Sequence, residues 1–274
     1  MNENRTHYGH PYFEAVGTKS GINRLRHNTC RIIDFNLLVL APGERYAFST
    51  DNREFGLAIL TGTVDVTVNK KLFPGIGGRD SVFTAPPSGV YAGCGSEVVI
   101  EAKTPLQIAL TSAPSSTSID PYAIAPETSK MGQWGGDNTT RHFRYLIDNE
   151  RPSERLWLAE VVVRDGRWAT YPPHKHEDVP EDLFQEEMYF YKVEPAHGFG
   201  FCALFEGQTG GDYAFMIRDN TIHKMPCGYH TVTAAPGYQI YYLALYAGMD
   251  KRHKPSMHPD HAHYGDNVMP VPLI

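Results

Sequence analysis

Apolar residues along this chain recur at every second position or in short runs, and helical spacing is hard to find. Val64-Asp-Val-Thr-Val68 alternates strictly, the pattern of a strand whose successive side chains point to opposite faces. Strand-like runs follow one another at Arg31–Leu40, Gly56–Leu60, Val64–Val68, Glu97–Glu101 and Gln107–Thr111. They continue at His142–Ile147, Leu156–Val163, Glu187–Val193, Gly198–Phe205, Tyr213–Ile217, His230–Thr233 and Gln239–Leu245. Clusters of Gly, Pro, Asp and Asn punctuate them at the short spacing of a β-sandwich or barrel. Leu60-Thr-Gly-Thr-Val-Asp-Val-Thr-Val68 reads as a hairpin whose second strand alternates faces. The pattern predicts an all-β protein.

The pattern lapses between Ala113 and Trp134, where Pro114-Ser-Ser-Thr-Ser118, Pro121, Pro126 and Gly132-Gln-Trp-Gly-Gly136 crowd together. At 274 residues the chain suggests about two domains on a prior of roughly 150 residues each. The expected division is therefore residues 1–134 and 135–274, each half with room for a barrel of about eight strands. The halves echo each other: Ala85-Pro-Pro-Ser-Gly-Val-Tyr91 holds a place like that of Met225-Pro-Cys-Gly-Tyr-His230. The N-terminal block has no His or carboxylate where the C-terminal block has His230, so its expected part is packing or assembly into a homo-oligomer.

Composition removes several function classes. A net charge of −6 offers no basic footprint for nucleic acid or an anionic membrane. No run approaches the roughly 20 apolar residues of a membrane helix. The start, Met1-Asn-Glu-Asn-Arg-Thr-His7, is polar and lacks the apolar core of a signal peptide. Cys30, Cys94, Cys202 and Cys227 are scattered without a C-x-x-C pair, so free thiols in a reducing cytoplasm are expected.

The candidate chemistry lies in the C-terminal half. In an extended Tyr171-Pro-Pro-His-Lys-His176, His174 and His176 point one way and Lys175 the other. Glu187 on one strand-like run and His230 on another would complete a set of three imidazoles and one carboxylate. That donor set suits a divalent ion, zinc first, with manganese, iron or nickel as the others. Four protein ligands on an ion with room for six leave adjacent positions for a substrate.

Trp168-Ala-Thr-Tyr-Pro-Pro-His-Lys-His176, Glu186-Glu-Met-Tyr189, Gly198-Phe199 and Pro226-Cys-Gly-Tyr-His230 continue into Pro236-Gly-Tyr238, Tyr241-Tyr-Leu243 and Ala247-Gly248. With Pro86-Pro-Ser-Gly-Val-Tyr91, these blocks resemble the 5-deoxy-glucuronate isomerase family of myo-inositol catabolism, over most of the chain. A more distant likeness is to the 4-deoxy-hexosulose-uronate ketol-isomerases. The resemblance implies a bicupin, two β-barrel domains, with His174, His176, Glu187 and His230 on the metal. Glu187, directly before the Met-Tyr-Phe-Tyr run, fits that role better than Glu186.

The implied reaction is an aldose–ketose interconversion of a sugar acid. A metal polarises a carbonyl and acidifies the neighbouring hydroxyl, and a base moves a proton between adjacent carbons. Tyr189, Tyr191, Tyr242 and Glu206 are candidates for the base, and a metal-bound hydroxide is another. Tyr189 and Tyr191 share a face with Glu187, and either line the pocket or belong to the barrel core. Arg141 matches a family Arg and is the candidate for the substrate carboxylate, ahead of Arg218 and Lys192.

Several positions depart from the family: Thr170, Cys202-Ala203, Asp212-Tyr213, Arg144 and Thr231. Apart from Thr170, which keeps the usual hydroxyl, several of them are expected on the pocket side, which would alter the sugar accepted. His261 and His263 in the tail share an i, i+2 spacing, though a structural or pocket-edge role is expected of them. Two other classes share the same pocket plan: a non-catalytic sugar-acid-binding cupin and a metal-dependent dioxygenase.

Overall fold

The protein is described from a computed structural model covering residues 9–177, 184–206, 210–249, 251, 255–267 and 271–272. Its strands pair antiparallel throughout, in two nine-stranded sheets and one five-stranded sheet among the described residues. One nine-stranded sheet is built from the N-terminal half, from Gly21–Arg24 to Tyr122–Ile124. The other carries Thr221–Met225, Gln185–Glu194, Gln239–Gly248, Leu156–Arg164 and Arg141–Ile147 side by side. The five-stranded sheet, with Gly200–Phe205, Tyr229–Ala234 and Trp168–Lys175 in neighbouring places, closes the C-terminal half.

The C-terminal nine-stranded sheet is covered on both faces, and period 2 sorts its residues. Trp157, Ala159, Tyr189, Tyr191, Tyr242, Ala244 and Tyr246 pack towards Cys202, Leu204 and Val232 of the five-stranded sheet. Leu158, Val162, Met188, Phe190, Leu243 and Leu245 point the other way, onto Phe35, Leu37, Ala58 and Tyr91 of the N-terminal half. Two-sided burial explains why Gln239–Gly248 reads as an almost unbroken apolar run. The N-terminal half has its own core, in which Leu38, Leu57, Val64, Val66, Val90 and Ile100 are fully buried.

Two features differ from the expectation drawn from the sequence. Leu60–Val68 is not a hairpin but the second half of one strand, Arg53–Val68. At Gly62 (φ +88) the strand bends, and its partners change from Leu106–Pro114 and Ser88–Ala92 to Lys71–Arg79 and Glu97–Ala102. A Cβ at Gly62 would lie 2.2 Å from the Pro105 carbonyl oxygen, so this bend requires glycine for space as well as for φ. The second difference lies in sheet membership. Gly9–His10 and Phe13–Ala15 are edge strands of the C-terminal sheet, attached to Thr221–Met225. Across the loop-rich segment, Tyr122–Ile124 pairs with the N-terminal Ser88–Ala92, whereas Met131–Trp134 pairs with Arg141–Ile147.

Buried carboxylates tie the two halves together. Glu54 accepts hydrogen bonds from the Tyr91 hydroxyl and from the N–H groups of Glu154, Arg155 and Leu156. Glu186 reaches the opposite way, accepting from the N–H groups of Arg31, Ile32 and Ile33 at 2.9, 2.7 and 3.3 Å. Arg79 forks onto Glu160 across the same interface. Each group satisfies donors or charges that would be costly to bury unpaired.

Candidate active site

Strand pairing assembles the imidazoles. Trp168–Lys175 pairs with Tyr229–Ala234 at Trp168 and Ala169, then again only at His174, which lies opposite His230. Pro172 and Pro173 have no N–H to give the ladder, and the irregularity falls on their segment. Thr170, at φ +51 in this segment, lines the cleft beside His174. The ring centroids of His174 and His230 are 4.7 Å apart, and His176 lies 5.1 Å from His174 on the same face.

Glu187 arrives from the opposite sheet. Its Oε2 lies 2.8 Å from His230 Nε2 and 3.2 Å from His176 Nε2. Alternation separates it from Glu186, whose carboxylate faces the N-terminal half. One ligand atom from each of His174, His176, Glu187 and His230 falls within 4.8 Å of all the others. Among the described residues no other group of three or more His, Cys, Asp or Glu converges this way.

These residues fit a divalent ion. Ligands at ~2.0–2.1 Å from a shared centre lie roughly 3–4 Å apart, close to the spacing found here. Glu187 is 1 % exposed, and its oxygens lie beside imidazole nitrogens without an oriented hydrogen bond among the described residues. Burial opposes its ionisation, yet the His230 and His176 imidazoles outweigh that and hold the carboxyl well below the usual carboxylate range. A buried carboxylate kept anionic among three imidazoles is the donor set that a borderline cation takes.

Beside the cluster opens a cleft that is continuous with solvent. An aromatic chain forms one wall: Trp134 on Phe143 at 5.5 Å, Phe143 on Tyr145 at 4.8 Å, Tyr145 on Trp157 at 5.1 Å and Trp157 on Tyr246 at 4.8 Å. Arg141 also lines the cleft, only 8 % exposed. One of its donors reaches Thr139 O at 3.1 Å, and its guanidinium lies 5.4 Å from the Trp134 ring. Burial lowers its pKa, and among the described residues no carboxylate pairs with it. A guanidinium desolvated without a counter-ion is costly, and an anion in the cleft would offset that cost.

The other candidate residues separate. Tyr189 and Tyr242 line the cleft, their rings 4.4 Å apart, with the Tyr189 hydroxyl 3.2 Å from His230 Nε2. Tyr191 shares their face but lies two residues further along, fully buried, its ring 6.5 Å from Phe13 and absent from the cleft walls. Glu206 is exposed and outside the cleft. Lys192 is held by Asp219 at 3.0 Å, and Arg218 by the His197 and Gly198 carbonyls.

Among the departures from the family pattern, Thr170 alone lines the cleft. Arg144 faces the N-terminal half, donating to the Val82 and Ala85 carbonyls, because alternation puts it opposite Phe143 and Tyr145. Cys202, Ala203, Asp212, Tyr213 and Thr231 are likewise not among the cleft walls, which corrects their expected place on the pocket side.

The tail packs over the strand that carries His174. Ser256–Met257 pairs with Lys175 and His174, and His258 N–H donates to Pro173 O at 2.8 Å. His261 lies against His258 and His263 against Tyr264, apart from the four converging residues. Tyr246, directly across from Glu187, does not stand out in the sequence. Its i+2 and i+4 spacing from Ala244 and Tyr242 is the signal that points to it. Phe143 and Tyr145 carry the same signal, at i+2 and i+4 from Arg141, whereas Trp134 and Trp157 join the cleft only through strand register. No helix is long and apolar enough to cross a membrane, among the described residues.

Comparison with known proteins agrees with this architecture. The profile of the KduI/IolB family matches residues 18–264. A 5-deoxy-glucuronate isomerase of Bacillus licheniformis is 32% identical over 233 residues, 84% of this chain and 86% of that protein. One of Halalkalibacterium halodurans is 33% identical over 220 residues, 79% of this chain and 82% of that protein. The crystal structure of an IolB-like protein from Salmonella typhimurium LT2 superposes with a TM-score of 0.86 at 25% identity, covering 93% of this chain and 99% of that one. Bacillus subtilis oxalate decarboxylase shares the cupin fold at a TM-score of 0.64 and 11% identity, over 90% of this chain and 79% of its own. The chain belongs to the KduI/IolB family.

Proposed function

We propose that the protein is a metal-dependent aldose–ketose isomerase acting on a uronate or deoxy-uronate, with 5-deoxy-glucuronate as the first substrate to test. The observation that carries this reading is one cleft lined by both His174 of the metal-type cluster and the buried Arg141, which pairs with no carboxylate among the described residues. The isomerases named above supply the reaction class and the sugar. The altered family positions, Thr170 apart, fall outside the cleft walls, which favours the family's own substrate over a different one.

In this reading His174, His176, Glu187 and His230 hold the ion, zinc first among zinc, manganese, iron and nickel. When bound, the ion supplies Lewis acidity to the substrate's carbonyl and adjoining hydroxyl oxygens. Arg141 holds the carboxylate at the far end of the sugar through its planar fork. The wall from Trp134 to Tyr246 packs on the C–H face of the chain and keeps water from the reacting carbons. Burial and the Glu187 charge raise the Tyr242 pKa despite Arg141, so its hydroxyl is suited to donate a hydrogen bond to a substrate oxygen. Tyr189 lies beside it as the second proton-handling hydroxyl, and Tyr191 supports both rings from behind at 6.2 and 6.0 Å.

The sheet pairing supports two barrels, near the 1–134 and 135–274 division, with a junction between Ile124 and Met131. The four free cysteines fit a reducing cytoplasm. Among its described residues the N-terminal barrel has no converging ligand group, and assembly into a homo-oligomer is the part proposed for it.

Turnover of 5-deoxy-glucuronate, with solvent deuterium entering the product, is the expected result for metal-loaded protein. Failure of both across a panel of uronates would reject the reading. Arg141→Met should lower kcat/KM by about 10²-fold, the usual cost of leaving one member of a buried charge pair alone. The loss should vanish for an analogue whose carboxylate is replaced by a neutral group; an equal loss on both substrates would remove Arg141 from carboxylate binding.

A further inference from the structure

The residue after His176 is a half-buried glutamate that touches both ends of the metal cluster's framework. Glu177 Oε1 accepts the Gly228 N–H at 2.8 Å, and Oε2 accepts the His176 N–H at 3.3 Å. Lys175 Nζ lies 3.7 Å from the same carboxylate and over the Tyr229 ring at 4.4 Å. Gly228 adopts φ +97, and a Cβ there would sit 2.7 Å from Phe205 O and 2.9 Å from Leu204 Cδ1. The turn therefore needs glycine, the residue with the most conformational freedom to restrain. The carbonyl of Gly228 faces His230 Nδ1 at 3.5 Å.

The structure assigns Glu177 a positioning role: by holding Gly228, it places the carbonyl that keeps the His230 proton on Nδ1 and turns Nε2 towards the ion. A metal-binding imidazole needs a bare nitrogen on the metal side, and the partner of its other nitrogen sets which one that is. Without the carboxylate the Gly228 turn has one restraint fewer, and the His230 ring loses the fixed acceptor that selects its tautomer. The role rests on reading His174, His176, Glu187 and His230 as ligands.

Zn²⁺ affinity, by competition with a chromophoric chelator, and the visible spectrum of the Co²⁺ protein test it without reference to activity. Glu177→Met keeps the volume and removes the acceptors, and Glu177→Ala is the second variant in case the first does not fold. Either should weaken Zn²⁺ by about 10–100-fold, the effect of losing an orienting partner, and alter the Co²⁺ spectrum. Glu177→Gln, which can still accept the Gly228 N–H, should restore most of the affinity and the wild-type spectrum. Affinity within twofold of wild type in both removal variants would overturn the role, as would an unchanged Co²⁺ spectrum or an equal loss in the Gln variant. Wild-type protein that binds neither ion would instead reject the ligand reading itself, a separate outcome.

Discussion

Glu187→Gln is expected to leave the fold intact, strip the protein of its divalent ion and lower isomerase turnover by roughly 10³-fold, the several kcal/mol that a Lewis acid contributes. The amide has the volume of the carboxylate, so packing against Tyr246 and Met225, its cross-strand neighbours, is unchanged. What disappears is the one anionic donor among His174, His176, Glu187 and His230. Three imidazoles remain, and they face an amide that donates as well as accepts. Metal analysis of the purified variant, with circular dichroism as the control for folding, checks this. A full equivalent of tightly held metal in the variant would remove Glu187 from the ligand set.

The largest stability effect is expected at Arg79 and Glu160, which cross from one half to the other with 2 % and 0 % side-chain exposure. The fork pairs Arg79 Nη1 and Nη2 with the two Glu160 oxygens at 3.0 and 2.5 Å. Arg79 Nε also donates to the Ile59 and Leu60 carbonyls, and the Tyr241 hydroxyl donates to Glu160 at 2.9 Å. Breaking such a buried pair from one side leaves the other charge uncompensated and costs about 3–5 kcal/mol. The two sides are not equivalent. Arg79→Met leaves Glu160 with Arg144 at 4.0 Å, whereas Glu160→Leu leaves two guanidinium groups together in an apolar interface. Urea unfolding should therefore show Glu160→Leu as the more damaging change, with the double variant recovering most of the loss. Single variants within about 1 kcal/mol of wild type would contradict this account.

Alternation along the strands makes much of the site legible in the sequence. It puts His174 and His176 on one side of their strand and separates Glu187 from Glu186 in direction, and the structure turns the two carboxylates to different neighbours. It also groups Tyr189 with Tyr191, but two residues of rise carry Tyr191 roughly 7 Å along the barrel, into core. A face is thus readable from sequence, while depth along that face is not. Arg144 and Cys202 show the same limit: only the neighbouring strands decide whether a cleft lies beside them.

The sequence by itself determined the all-β class and singled out four residues that the structure brings together, because strand period and donor chemistry are local properties. The tertiary structure decided what depends on register between distant strands. That includes the unbroken strand through Gly62, the N-terminal edge strands on the C-terminal sheet, and the aromatic wall from Trp134 to Tyr246. It also includes the pairing of Arg79 with Glu160 and the contact of Glu177 with the turn that carries Gly228. The physical reason is that a strand's hydrophobic pattern states which residues face inward, while the residues they meet there are chosen by how separate strands align.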